Sequence, residues 1–69
     1  MGKKVEKYAY PKIRLAMLEN GDTMINLAKI LDISVFTLTR KMYGRTEWTI
    51  GEIEKLCIYY GLDYYDLFK

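Results

Sequence analysis

Phe36, Thr39, Arg40 and Tyr43 recur about one helical turn apart. At roughly 100° per residue they share the outer side of a helix, with Val35 on its border. A guanidinium, a hydroxyl and two aromatic rings make that side a binding surface of planar donors and apolar faces. It lacks the Glu and Gln usual on a merely solvated helix. Bond-making chemistry has few candidates anywhere in the chain. Its 69 residues contain no histidine and a single cysteine, Cys57. Zinc fingers, Cys/His pairs, Ser-His-Asp triads and an intrachain disulfide are thereby excluded. With no Gly-rich phosphate loop and no convincing carboxylate pair, the expectation is a protein that is not an enzyme and uses neither cofactor nor metal.

Charge is spread unevenly. Residues 1–46 hold nine Lys and Arg against four acids, a net of +5, whereas residues 47–69 hold two against five, a net of −3. A positive front and a negative back orient a molecule towards a polyanion; a solvated surface of mixed charge is the alternative. Hydrophobic residues at 51% and charged residues at 29% fit one small globular domain. No apolar run approaches the roughly 20 residues of a membrane span. A lone thiol without a secretory signal points to a reducing cytoplasm. A chain this short has no room for a separate ligand domain, so no small-molecule effector is expected.

Those side chains need a scaffold, and its punctuation is legible. Residues 1–9 are basic and aperiodic and read as an N-terminal arm, leaving residues 10–69 as the domain. Pro11 opens a first helix through residue 20, stopped by Gly21. Asp22 or Thr23 caps a second from Met24 to Leu31, with Leu27, Ala28 and Leu31 inward. Asp32 tolerates the left-handed turn that ends it, and Ser34 caps a third helix to about Tyr43, stopped by Gly44. Thr49 and Glu52 form a capping box for a fourth, whose inner face is Ile50, Ile53, Leu56, Cys57 and Tyr60. Gly61 closes it, and Asp63 caps a short fifth through Leu67 and Phe68. No segment alternates for long enough to make a strand, so the fold class is all-α, five helices in one compact unit.

Helices two and three, joined by about three residues, make a helix-turn-helix corner. Residues 26–44, NLAKILDISVFTLTRKMYG, resemble the DNA-binding core of the phage repressor and Cro-type family. The continuation WTIGEIEKLC at 48–57, then Tyr60-Gly-Leu-Asp63 and Asp66-Leu-Phe68, is similar to that family's last two helices. The Arg40-to-Arg45 stretch and the aromatic before Thr49 look most like small prophage-encoded members. The resemblance spans residues 10–68 and implies a lambda-repressor-like domain, cytoplasmic in a bacterial host if phage-encoded.

Carried over position by position, the resemblance places helix three in the major groove, with Val35, Phe36, Thr39 and Arg40 as base readers. Arg40 suits a bidentate pair to guanine O6 and N7, worth roughly 1–3 kcal/mol of discrimination, and Val35 and Phe36 suit thymine methyls. Val35 also completes an inward stripe with Leu38 and Met42, so core and base contact both stand open for it. Family members often carry glutamines here; this chain has none. Phosphate contacts, which position without specifying, fall to Thr23, Met24, Ser34, Thr37, Lys41, Tyr43, Gly44, Arg45 and Thr46.

Two departures from the family matter. Met17 and Met42 occupy the places of its buried Arg–Glu pair and are expected to touch. Lys41 replaces an apolar residue and is expected to lay its stem on the core and send its ammonium outward. Two-fold operators need two copies, so a homodimer on double-stranded DNA is the expected assembly, with Trp48, Tyr64, Tyr65 and Phe68 as its candidate patch. The competing reading is a phage-encoded protein-interaction module that captures a host protein through Phe36, Tyr43 and Val35.

Overall fold

The structure, a computed structural model, describes residues 8–69. It is all-helical across them: α1 (Pro11–Asn20), α2 (Met24–Leu31), α3 (Val35–Met42), α4 (Ile50–Tyr60) and α5 (Tyr64–Phe68). Each start after the first is fixed by a side-chain cap. The Thr23 hydroxyl accepts from the Asn26 amide at 3.1 Å, and the Ser34 hydroxyl accepts from Thr37 at 3.0 Å. Thr49 with Glu52, and Asp63 with Asp66, form full capping boxes. Such a cap is worth about 1 kcal/mol, a large share of what so short a helix can spare. Asp22 is therefore not the cap of α2; its carboxylate is used elsewhere.

The helices close on a core of Ile13, Ala16, Met17, Leu27, Ala28, Leu31, Leu38, Met42, Leu56 and Leu67. α2 packs on α3 and α4, and α5 packs on α1 and α4. Ala28 is the small buried residue of α2 where the corner demands close approach. Met17 and Met42 are both fully buried in this cluster. Ile50 corrects the reading of α4: it is 76% exposed, because the first helical residue after the cap overhangs the packed part of the helix.

Tyr8 and Ala9, read with the arm, are held against the end of α3. The Ala9 N–H donates to the Met42 carbonyl at 2.8 Å, and the Tyr8 ring stacks on Tyr43. The rest of the basic arm, residues 1–7, lies outside the described residues. Among those described, no helix is long and apolar enough to cross a membrane.

Candidate nucleic-acid interface

The corner that aims α3 is made by Asp32. It adopts φ 60° and ψ 44°, the left-handed region, and the carbonyls of Lys29 and Ala28 accept from the amides of Asp32 and Ile33 at 3.1 and 3.0 Å. Aspartate takes this conformation at less cost than most side chains. Ser34 then restarts the helix, its hydroxyl also donating to Thr37 Oγ1 at 2.9 Å.

From that start α3 presents two unlike sides. Leu38, Lys41 and Met42 are buried, while Phe36 is 72% and Val35 40% exposed, and Val35 lies outside the core cluster. Arg40 is exposed and doubly held: its Cζ sits 5.8 Å from the centroid of the Phe36 ring, and its Nε donates to Thr46 Oγ1 at 3.2 Å. The Thr39 hydroxyl donates to the Val35 carbonyl at 2.8 Å, so an acceptor outside the helix meets a hydroxyl whose proton is already engaged. Val35, Phe36, Thr39 and Arg40 thus fall together on the α3 turns that follow Ser34, with Arg40 steered by a ring and a hydroxyl.

The phosphate candidates are less uniform. Thr23 and the start of α2 flank the corner, but the Met24 side chain packs partly against the core, which leaves only its main chain for such a role. Ser34 and Thr37 satisfy each other. The Gly44 amide donates to the Lys41 carbonyl at 3.1 Å; at φ 78°, with Ala9 Cβ 3.1 Å from where its own Cβ would stand, this position is shaped for glycine by the chain packed on it. Arg45, exposed, and Thr46, half-buried, follow in the connection to α4, the Arg45 amide donating to the Arg40 carbonyl at 2.8 Å. Tyr43 is half-buried, one ring face covered by Tyr8 at 4.7 Å between centroids.

Lys41 requires a correction. Its ammonium does not reach outward: Nζ lies 2.8 Å from Glu52 Oε1, donates to the Glu47 carbonyl at 2.8 Å, and sits 5.9 Å from the Trp48 ring centroid. The side chains of Lys41 and Glu52 are 5% and 12% exposed. An ammonium so enclosed and so fully bonded is not available to a phosphate. The sequence places the stem correctly on the core, but the partner at the start of α4 decides where the charge ends. Burial raises the Glu52 carboxyl, yet the bonds from Lys41 and Thr49 outweigh it and hold the group below its ordinary 4.5. The pair therefore fixes the 43–49 connection that carries Arg45 and Thr46.

A second polar knot has no counterpart in the sequence reading. Asp22 accepts from Asn20 Nδ2 at 2.9 Å, from the Tyr59 hydroxyl at 2.8 Å and from the Tyr60 hydroxyl at 2.9 Å, tying the α1–α2 turn to the end of α4. Burial opposes ionisation of Asp22, but these donors win and hold it below 3.8. Burial and then Asp22 push the Tyr60 hydroxyl well above its ordinary range. Cys57, the chain's lone thiol, is pushed up by burial and by Asp63 and Asp66, which suppresses the thiolate.

The four residues expected at a dimer patch separate. Trp48 and Phe68 are half-buried and interleaved edge-to-face with Tyr10, at centroid distances of 5.7 to 5.9 Å. Trp48 Nε1 is buried there without a hydrogen-bond partner among the described residues. Tyr64 stacks on Phe68 and is 43% exposed; Tyr65 is 70% exposed. Roofing the core thus uses two of the four, and the outer tyrosines remain at the surface.

Residues 13–69 match the BetR domain, a family of small helix-turn-helix-like regulatory domains, and since that is most of the chain, the protein belongs to this family. No curated protein and no solved structure matches it.

Proposed function

For this BetR-family domain we propose sequence-specific DNA binding as a transcriptional regulator of the phage repressor and Cro type, with α3 in the major groove of a duplex. One observation carries the reading. Arg40 stands on the exposed side of a capped helix, poised between the Phe36 ring and Thr46 rather than spent in an ion pair among the described residues. That leaves guanidinium donors for a guanine edge, and the neighbouring Val35 and Phe36 side chains for thymine methyls. Arg45 and Thr46, on the connection fixed by the Lys41–Glu52 pair, supply phosphate contacts that set the docking depth. The function needs no cofactor and no catalysis, and a homodimer on a two-fold operator, joined through the exposed Tyr64 and Tyr65, is its assembly.

The exposure of Phe36 equally suits an apolar anchor for a protein partner, the second reading. It is the weaker one, because Tyr43, its intended companion, has one face taken by Tyr8. Binding-site selection from random duplexes at two salt concentrations separates the two. DNA recognition yields an enriched site with half-sites about one helical turn apart and affinity that falls steeply with salt. No enrichment, with binding absent or indifferent to salt, overturns it in favour of the protein partner.

A further inference from the structure

We propose that Arg14 on α1 is an additional DNA-contacting residue that binds a backbone phosphate flanking the site read by α3. The inference rests on the DNA-binding reading and extends it to a second helix. Tyr8 stacks on Tyr43 at the end of α3 with planes 14° from parallel, and the Arg14 guanidinium carbon lies 5.8 Å from the Tyr8 centroid. Three side chains therefore make a line of contacts from Tyr43, just after α3, through Tyr8 to Arg14 on α1.

The line is built on fixed backbone. The Ala9–Met42 hydrogen bond at 2.8 Å holds the segment that carries Tyr8, and the close approach of Ala9 to Gly44 packs it against the turn after α3. Among the described residues no carboxylate pairs with Arg14. A guanidinium resting on an aromatic face keeps its N–H donors for acceptors at its edge, and the phosphate group matches that fork in two positions. Side-chain freedom already lost to the ring is not lost again on binding. Tyr43 belongs to this stack and Gly44 packs on Ala9 beside it, so Arg14 is joined to the turn after α3 by direct contacts.

The test titrates the full chain, Arg14→Gln and Tyr8→Phe with a selected duplex and a scrambled one over a range of salt, with thermal unfolding alongside. Arg14→Gln weakens both duplexes by the same factor, roughly five- to tenfold at low salt, and lowers the salt slope by about one. Tyr8→Phe keeps the ring and the wild-type slope. A scan of neutral methylphosphonate linkages through the flanks of the selected duplex, made with the unaltered chain, finds one position outside the α3 site where binding weakens. An unchanged slope in Arg14→Gln, or a flank with no sensitive linkage, overturns the assignment of Arg14 while Arg40→Ala still loses its preference. Failure of the unaltered chain to bind any duplex overturns both this inference and the DNA reading beneath it.

Discussion

Both ends of α4 are tied to a neighbouring segment by a carboxylate, α3 at one end and the α1–α2 turn at the other, and the two ties are built differently. At its start Glu52 meets Lys41, both largely buried, with the Glu47 carbonyl and the Trp48 ring completing the enclosure. At its end Asp22 meets two phenols and an amide, neutral donors that reach it from nearer the surface. The first tie stakes far more on one contact, because removing one member strands a charge out of water. The second spreads its energy over three neutral donors, and losing one leaves two. The connection after α3 is thus held by a contact with a high penalty for failure, and the α1–α2 turn by one that tolerates loss.

The comparison breaks most readily at Lys41. Lys41→Ala leaves Glu52 enclosed without its cation and costs about 3 kcal/mol, read as a Tm lower by roughly 10 °C or more. The double variant Lys41→Met with Glu52→Gln keeps the capping box and removes both charges, and returns stability to within about 1 kcal/mol of the parent. A double variant as unstable as the single one contradicts the stranded-charge account. Acid sharpens the same point. Glu52 and Asp22 are both held below their ordinary values, so their contribution is complete above pH 4.5 and drains away as pH falls through their lowered folded values. Thermal scans fall steeply below about pH 4, and Glu52→Gln flattens that fall. At the other end Tyr60→Phe removes one donor from Asp22 and costs about 1 kcal/mol by urea unfolding. Tyr59→Phe, on a more exposed hydroxyl, costs less still, and a loss at either tyrosine equal to that at Lys41 erases the distinction.

Legibility in the sequence follows the range of the interaction. Thr23, Ser34, Thr49 and Asp63 announce helix starts because each cap closes within three residues, and Asp32 announces a corner because its own backbone must turn left-handed. Five helices, their bounds to within a residue or so, and most of the core were readable on that basis. The side of α3 that Phe36 and Arg40 share was readable from the helical period alone. Lys41 was half readable: the period puts its stem on the core, but the direction of its ammonium depends on Glu52, eleven positions on and reached only by folding. Asp22 has its partners 37 and 38 positions away, and nothing local about an Asp after a Gly marks it as an acceptor for tyrosines. Tyr8 looks like part of a basic tail until the fold brings Tyr43 beneath it.

On the proposed DNA-binding reading, Arg40 in the last turn of α3 reads bases and Arg45 in the following connection holds phosphate. Titrating Arg40→Ala and Arg45→Ala against the selected duplex and its scrambled counterpart, across salt, asks the question directly. Arg40→Ala is expected to lose preference for the selected duplex by roughly 1–3 kcal/mol while its salt slope changes little. Arg45→Ala weakens both duplexes alike and lowers the slope by about one. Two variants that behave the same, or an Arg40→Ala that keeps the full preference, contradict that reading.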